Sequence, residues 1–382
     1  MCRVGVIGDL HLGKQLYGYD LTPHVRRAMY DFLDLCRRFK VSVAVCLGDI
    51  YDRPTPAVPV RKMVSQWANE FQREGIDLYL LTGNHDASSN PDAPTALESL
   101  RVLTVPSCIH VVDRPTMIKG EALLLPFPSP GIYATREEYD KDVQRVLWLN
   151  QPRVVLAHLT LDGVQVGEQD FPYHSVESGL PECIGRQLVL AGHVHKPQWV
   201  GDAKLRYVVG AAERTSFAER NEARGFVVLD LSSVSKSERL VRVVLRTNAL
   251  SLVQVEPDVS SWGSGGVPPT TEEIIKEHSS KVAGALVKVT PFVDDQSSVD
   301  WGRVEEGLLA AGALRVFMGP AVQVRAARRA RAKTKLATAA PEVAAALYIK
   351  RRVSDKRERN RLLVLFKRMQ KEAEHGTREV RG

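Results

Sequence analysis

The chain reads as an α/β protein with buried sheets. Two observations lead there. Short, continuous apolar runs alternate with helical periodicities from the first residues onward, the pattern of strands covered on both faces. Five polar constellations follow, each just after one of those runs, where α/β folds gather their site residues. Hydrophobic residues make up 44% and charged residues 25% of the 382 residues. That balance excludes a disordered, collagen-like or disulfide-scaffold chain.

Residues 4–7 (VGVI) predict the first strand. Thr22-Pro23 opens a helix, with Val25, Ala28, Met29, Phe32, Leu33 and Leu35 on one broad face, Pro being suited to a first turn. Residues 43–47 predict a second buried strand, 60–71 a helix and 76–81 a third strand. Further strands are expected at 109–112, 122–126, 154–157, 188–191, 207–209, 226–231 and 240–245, interrupted by a helix over 136–149. Composition shifts near Arg246, and a Gly/Ser/Pro-rich loop spans 260–269. A helix (271–278), strand (285–290), helix (299–311) and strand (313–317) follow, a small α+β unit. Two helices close the chain, 341–352 and 354–372. Pro341 suits a first turn, and Ser354 or Asp355 an N-cap.

The constellations are Gly8-Asp9-Leu10-His11, Gly48-Asp49-Ile50-Tyr51-Asp52-Arg53, Gly83-Asn84-His85-Asp86, His158, and Gly192-His193-Val194-His195. Asp, Asn and His are the oxygen and nitrogen ligands that borderline divalent metals prefer. Glycine lets the backbone turn sharply at a strand end. A lone histidine such as His158 is more often a core residue than a ligand. Five such pieces in order, each at a strand end, form a strong joint signal. For Asp52 and Arg53 a local ion pair that shapes the loop is an equal reading. His24, His110, His174, His278 and His375 lack such a context and are read as surface or core residues.

These motifs resemble the calcineurin-like metallophosphoesterase superfamily. The runs 157–163 (AHLTLDG) and 207–218 (YVVGAAERTSFA), with Arg224-Gly225-Phe226, resemble within it the SbcD nuclease family. The resemblance implies a β-sandwich flanked by helices (1–245), a small α+β capping domain that positions DNA (246–320), a basic linker (321–340) and a helical ATPase-binding region (341–382). It implies two divalent ions, Mn²⁺ by family precedent. Asp9, His11, Asp49 and His195 would hold one; Asp49, Asn84, His158 and His193 would hold the other. His85 would face the scissile phosphate, and Asp86 would orient it through its second ring nitrogen. The implied activity is DNA exonuclease, 3′ to 5′, and endonuclease, in a nuclease subunit of an SbcCD-like DNA repair complex. Its partners would be DNA and an SbcC-like SMC-type ATPase that hydrolyses the ATP, with the chain as a homodimer within a heterotetramer. A protein phosphatase or cyclic-nucleotide phosphodiesterase is the alternative, because the ligand set is shared across the superfamily. No Gly-x4-Gly-Lys-Ser/Thr run occurs, which fits ATP hydrolysis by a partner.

Charge is split along the chain. Residues 321–382 carry 18 Lys and Arg against 6 Asp and Glu, a net of +12, while 1–320 carry 34 against 39, a net of −5. A basic tail points to a polyanion or an interaction arm. Its helices carry an apolar stripe, Leu347, Ile349, Leu362, Leu365, Phe366 and Met369, read as the ATPase dock; packing back on the cap is the competing reading. In 246–319 no aromatic-interleaved basic stripe is visible, so no DNA-contacting residue is named there. The five cysteines, Cys2, Cys36, Cys46, Cys108 and Cys183, form no CxxC pair, which suits a reducing compartment. The sequence shows no signal-peptide pattern and no 18-residue apolar run, so a cytoplasmic protein without a membrane partner is expected.

Overall fold

The computed structural model describes residues 2–88, 90, 92, 95–98, 100, 108–165, 179–231, 241–259, 269–293 and 298–323. The basic linker beyond that, the expected terminal helices and the six apolar residues of their stripe lie outside the described residues, as do His174 and His375.

In chain order the elements are β1 (Arg3–Ile7), β2 (Gln15–Leu16), β3 (Tyr19–Asp20), α1 (Thr22–Arg38), β4 (Val43–Cys46), α2 (Val58–Arg73), β5 (Asp77–Leu81), β6 (Ile109–Val112), β7 (Thr116–Ile118), β8 (Ala122–Leu125), α3 (Arg136–Asn150), β9 (Val154–Ala157), β10 (Leu188–Ala191), β11 (Gln198–Val200), β12 (Arg206–Val208), β13 (Gly225–Asp230), β14 (Val241–Leu245), β15 (Ser251–Val255), α4 (Thr271–His278), β16 (Ala285–Val289), β17 (Phe292–Val293), α5 (Trp301–Ala310), β18 (Arg315–Met318) and β19 (Val322–Gln323). Two six-stranded sheets dominate, ordered β14-β13-β1-β4-β5-β6 and β11-β12-β10-β9-β8-β7. The core strands β1, β4, β5 and β6 run parallel in the first sheet, and β8, β9, β10 and β12 in the second.

Side-chain alternation explains the layers. Val4, Val6, Val43 and Val45 of the first sheet share one core with Val154, Leu156, Leu188 and Leu190 of the second. Their strand neighbours face outward: Ala44 and Cys46 pack with α1 and α2 through Phe32, Trp67 and Phe71, and Val155, Ala157, Val189 and Ala191 pack with α3 through Tyr139 and Val143. Both faces are covered, so the strands read as unbroken apolar runs. The result is an α/β fold with buried sheets, as the apolar patterning predicts, arranged as the β-sandwich flanked by helices that the family resemblance implies. The small strands β2, β3, β7, β11, β15, β17 and β19 are not visible in the sequence patterning. Most have two or three residues, too short for a period-2 signal to register.

By contacts the chain divides into two compact units. Among the described residues, one comprises those within 1–254, 281–288 and 312–317; the other comprises those within 255–280, 289–311 and 318–323. In the second unit α4 starts with a capping box between Thr270 and Glu273, and the Asp300 side chain caps α5 through the Arg303 N–H. No helix among the described residues is long and apolar enough to cross a membrane.

The Phe32 ring touches Trp67, Phe71 and Phe226 and is fully buried. Phe32→Ala is expected to destabilise the protein by about 3–5 kcal/mol, read as a lowered urea midpoint.

Candidate metal centre

The ends of parallel strands from both sheets place the motifs. Asp9 and His11 follow β1, Asp49 follows β4, Asn84 and His85 follow β5, His158 directly follows β9, and His193 and His195 follow β10. The seven residues expected as ligands come together. His11 Nε2 and His195 Nε2 lie 2.9 Å apart. His158 Nε2 and His193 Nδ1 lie 3.0 and 2.9 Å from Asn84 Oδ1. The Asp49 carboxylate stands between the groups: Oδ1 is 3.4 Å from His158 Nε2, and Oδ2 is 3.6 Å from His11 Nε2. Asp9 Oδ1 lies 3.4 Å from His158 Nδ1.

Backbone amides hold the carboxylates. The His193 N–H donates to Asp9 at 2.9 Å and the His85 N–H to Asp49 at 2.8 Å. Such close approach explains the motif glycines better than turning does. A Cβ on Gly83 would meet the Asp49 nitrogen and Oδ1 at 2.2 Å. Of Gly8, Gly48, Gly83 and Gly192, Gly48 alone has positive φ, 106°, and a Cβ there would lie 2.4 Å from His158 Nδ1. The turning falls instead to the site residues: His11, Asp49 and His193 have φ of 49°, 46° and 74°. Left-handed non-glycine backbone is a form of strain that clusters at functional sites.

Protonation follows burial and charge. Burial, then the charge of His195, pulls His11 down to about 4. Burial, then the charge of His158, pulls His193 down to about 4. Both rings are therefore neutral near pH 7, the form that ligates metals. Burial opposes charge at His158, but Asp49 and Asp9 outweigh it and raise the ring. Burial opposes ionisation of Asp9 and Asp49 too, yet the adjacent histidines, His158 foremost, keep both below the usual carboxylate range.

These donors fit a pair of divalent ions. Asp9 and Asp49 are 0% and 1% exposed, and among the described residues their ion partners are all histidines. Two buried carboxylates need compensating charge. Asp9 Oδ2 and His11 Nδ1 are buried without a hydrogen-bond partner among the described residues. Ligand atoms about 2.1 Å from one ion stand about 3.0–3.4 Å apart, close to the 2.9–3.6 Å spacings seen. Asp49, His158 and His193 bring three ligand atoms within 4.8 Å of one another, and His11 flanks Asp49 on the other side. His85 lies within the same distance of His11 and Asp49, close enough to face a substrate held there. A cavity of about 340 Å³ opens onto Asp49, Asn84, His85, His193, His195 and Glu219.

The expected contact between Asp86 and His85 is not present. The buried Asp86 carboxylate instead accepts the backbone N–H groups of Ile50, Tyr51 and Gly83 at 3.2, 2.9 and 3.0 Å, bracing two motif loops against each other. Burial, then the charge of Asp49, raises it to about 7. His85 is oriented by the Asp52 carbonyl, 3.0 Å from Nδ1. Asp52 also accepts Lys14 at 2.9 Å, whereas the exposed Arg53 stays 3.8 Å away. His110 stacks on Tyr79 and His24 meets the Tyr19 hydroxyl, outside the site.

Nothing in the sequence patterning marks Glu219, although it directly follows the run 207–218. Its carboxylate lies 3.1 Å from His195 Nδ1, accepts the Thr215 hydroxyl at 2.8 Å and pairs with the fully buried Arg224. Burial would raise Glu219, but His195 and Arg224 hold it at about 2. His158 Nδ1 donates in the same way to the Leu47 carbonyl at 2.6 Å. Such partners fix the tautomer that leaves the opposite nitrogen facing the site.

A fold of two buried sheets with paired donor groups at their strand ends is that of a dinuclear phosphoesterase, and comparison with known proteins agrees. The chain belongs to the calcineurin-like phosphoesterase family, whose pattern matches residues 2–197; it is a metallophosphoesterase, a hydrolase. Among curated proteins it is similar to the SbcD subunit of the SbcCD nuclease of Staphylococcus epidermidis, at 22% identity over 249 residues, 59% of this chain and 65% of that one. The chain thus spans just under two thirds of that relative. Among solved structures it is similar to TT1561 of Thermus thermophilus (TM-score 0.38, 14% identity, 64% of this chain and 98% of that one). Another is a dimetal phosphatase from Danio rerio (0.37, 13%, 59% and 91%), and a third is the Pseudomonas putida nuclease MPE (0.27, 18%, 65% and 78%).

Two outcomes are expected in calorimetric titration with Mn²⁺. Gly83→Ala abolishes binding of at least one ion, since the methyl group and Asp49 cannot share the space. Glu219→Gln weakens one of the two binding events by about 10- to 100-fold and leaves the other near its original affinity.

Proposed function

We propose that the chain is the nuclease subunit of an SbcCD-like DNA repair complex, cleaving DNA phosphodiesters as a 3′-to-5′ exonuclease and an endonuclease. The observation that carries the reading is the single carboxylate, Asp49, flanked by donors on both sides at 3.4 and 3.6 Å. The similarity to an SbcCD nuclease subunit supports DNA as the polymer. Asp9, His11, Asp49 and His195 would hold one ion; Asp49, Asn84, His158 and His193 would hold the other, with Mn²⁺ the metal proposed. Such a pair of ions, when bound, clamps both oxygens of an in-line displacement and makes water a nucleophile at neutral pH.

The remaining chemistry belongs to side chains. A carbonyl accepts, so the proton of His85 Nδ1 is committed to Asp52. Nε2 is left for the substrate. In the imidazolium form it donates a hydrogen bond to the phosphoryl oxygens or a proton to the leaving 3′ or 5′ oxygen. Asp86 serves this by holding the loop that carries His85, through the Gly83 N–H. Residues 341–372, which lie outside the described residues, are assigned to the SbcC-like ATPase, and the assembly to a homodimer within a heterotetramer.

With Mn²⁺ and linear duplex DNA, His85→Ala is expected to cut cleavage by about 10²- to 10⁴-fold while binding Mn²⁺ normally. Equal cleavage by both proteins would refute the assignment of His85. Hydrolysis of a phosphopeptide without any DNA cleavage would replace the nuclease reading with a phosphatase one. Co-purification of an ATPase that is lost on removing residues 341–372 tests the partner assignment.

A further inference from the structure

We propose that Tyr17, Phe317, Lys288 and Arg315 form a ledge beside the metal centre on which an unpaired base of single-stranded DNA stacks. The identity of the polymer rests on the nuclease reading above; the ledge itself rests on geometry.

Strands β2 and β3 are joined by Tyr17-Gly18, with φ of 49° and 77°. Positive φ at both central residues marks a primed hairpin turn, whose first position favours Asn, Asp or Gly. A large aromatic residue there is a backbone outlier, and its side chain is 58% exposed. It is not loose, however. The Tyr17 ring lies 5.4 Å from Phe317 and 6.0 Å from Phe217, and those two lie 6.2 Å apart. Phe217 is buried in a cluster with Leu16, Leu21, Leu250, Leu252 and Leu286, so the exposed ring stands on a rigid base.

Cations complete the surface. Lys288 Nζ lies 3.2 Å from the Tyr17 hydroxyl and 5.4 Å from its ring centroid. The exposed Arg315 guanidinium sits 5.6 Å from the Phe317 ring centroid. Neither cation has a carboxylate partner among the described residues, so each is available to a phosphate. The patch adjoins the site through the chain itself: Ser216 and Ala218, on either side of Phe217, line the metal-centre cavity with Lys196. An exposed ring flanked by cations next to a phosphodiesterase centre matches single-strand recognition, in which bases stack on aromatics and the backbone follows positive charge. A base inside a duplex is stacked on both faces and cannot insert onto the ring, so the ledge favours unpaired DNA.

The test uses the full chain in EDTA, so that binding is read without cleavage, and a fluorescent oligothymidylate followed by anisotropy. Tyr17→Ala is expected to weaken binding by about tenfold, and Tyr17→Trp to retain it. Lys288→Ala and Arg315→Ala are each expected to flatten the log-affinity against log-salt slope by about 0.7. Blunt duplex affinity should respond to the cations and not to Tyr17→Ala. Unchanged single-strand affinity in Tyr17→Ala, or an equal loss on blunt duplex, overturns the ledge. If the wild-type protein cleaves DNA with Mn²⁺ while Tyr17→Ala binds normally, only the ledge fails. If the wild type neither binds nor cleaves DNA, the nuclease reading fails and the ledge with it.

Discussion

Two carboxylates, Asp9 and Asp49, sit in the interior of this fold, and among the described residues no lysine or arginine pairs with them. A buried charge that is not compensated costs several kcal/mol. The surrounding structure supplies that compensation. Backbone amides of His85 and His193 donate to the carboxylates, and histidines from two different strand ends, one in each sheet, crowd their oxygens. The same concentration of negative charge is what a pair of divalent ions requires, so the feature hardest to reconcile with stability is also the most informative about chemistry.

The sandwich makes this possible. Parallel strands in both sheets deliver their carboxyl ends to one place, and the shared apolar core between the sheets keeps the two edges in register. The loops that follow are short and braced across sheets: the buried Asp86 ties the β4 loop to the β5 loop, and the Leu47 carbonyl accepts His158 from the other sheet. Left-handed backbone at His11, Asp49 and His193 is tolerated because these bonds over-determine it. Beyond the ligands, the buried pairs of Glu219 with Arg224 and Glu213 with Arg246 extend the polar network from His195 to the segment just before β15.

Much of the site was legible from sequence because it is local. Each motif lies within a few residues of a strand end, and its residue types are uncommon in that setting. Bounds of the longer strands and helices agree with the apolar patterning to within a few residues, since burial on both sheet faces leaves an unbroken apolar run. The partner of His85 was not legible. Adjacency in Asn84-His85-Asp86 suggests the neighbouring carboxylate, but the turn points Asp86 at the amides of the Asp49 loop and leaves His85 to the Asp52 carbonyl. Glu219 was missed for a related reason: its link to His195 spans 24 residues, and no spacing rule connects them.

Charge illustrates the division more broadly. The basic tail stands out in composition alone, whereas the pairing of Tyr17 with Lys288 crosses 271 residues and has no trace in any window of sequence. What the sequence by itself determined is therefore the core strands of the two large sheets, their flanking helices and the identity of the donor residues, because these follow from periodicity and from residue chemistry at strand ends. What the tertiary structure alone decided is which donor shares which neighbour, which glycine is required by close approach, and where aromatic and basic side chains from distant segments meet. Those depend on interatomic distances of a few ångströms between segments far apart in the chain, and only the packed sheets set them.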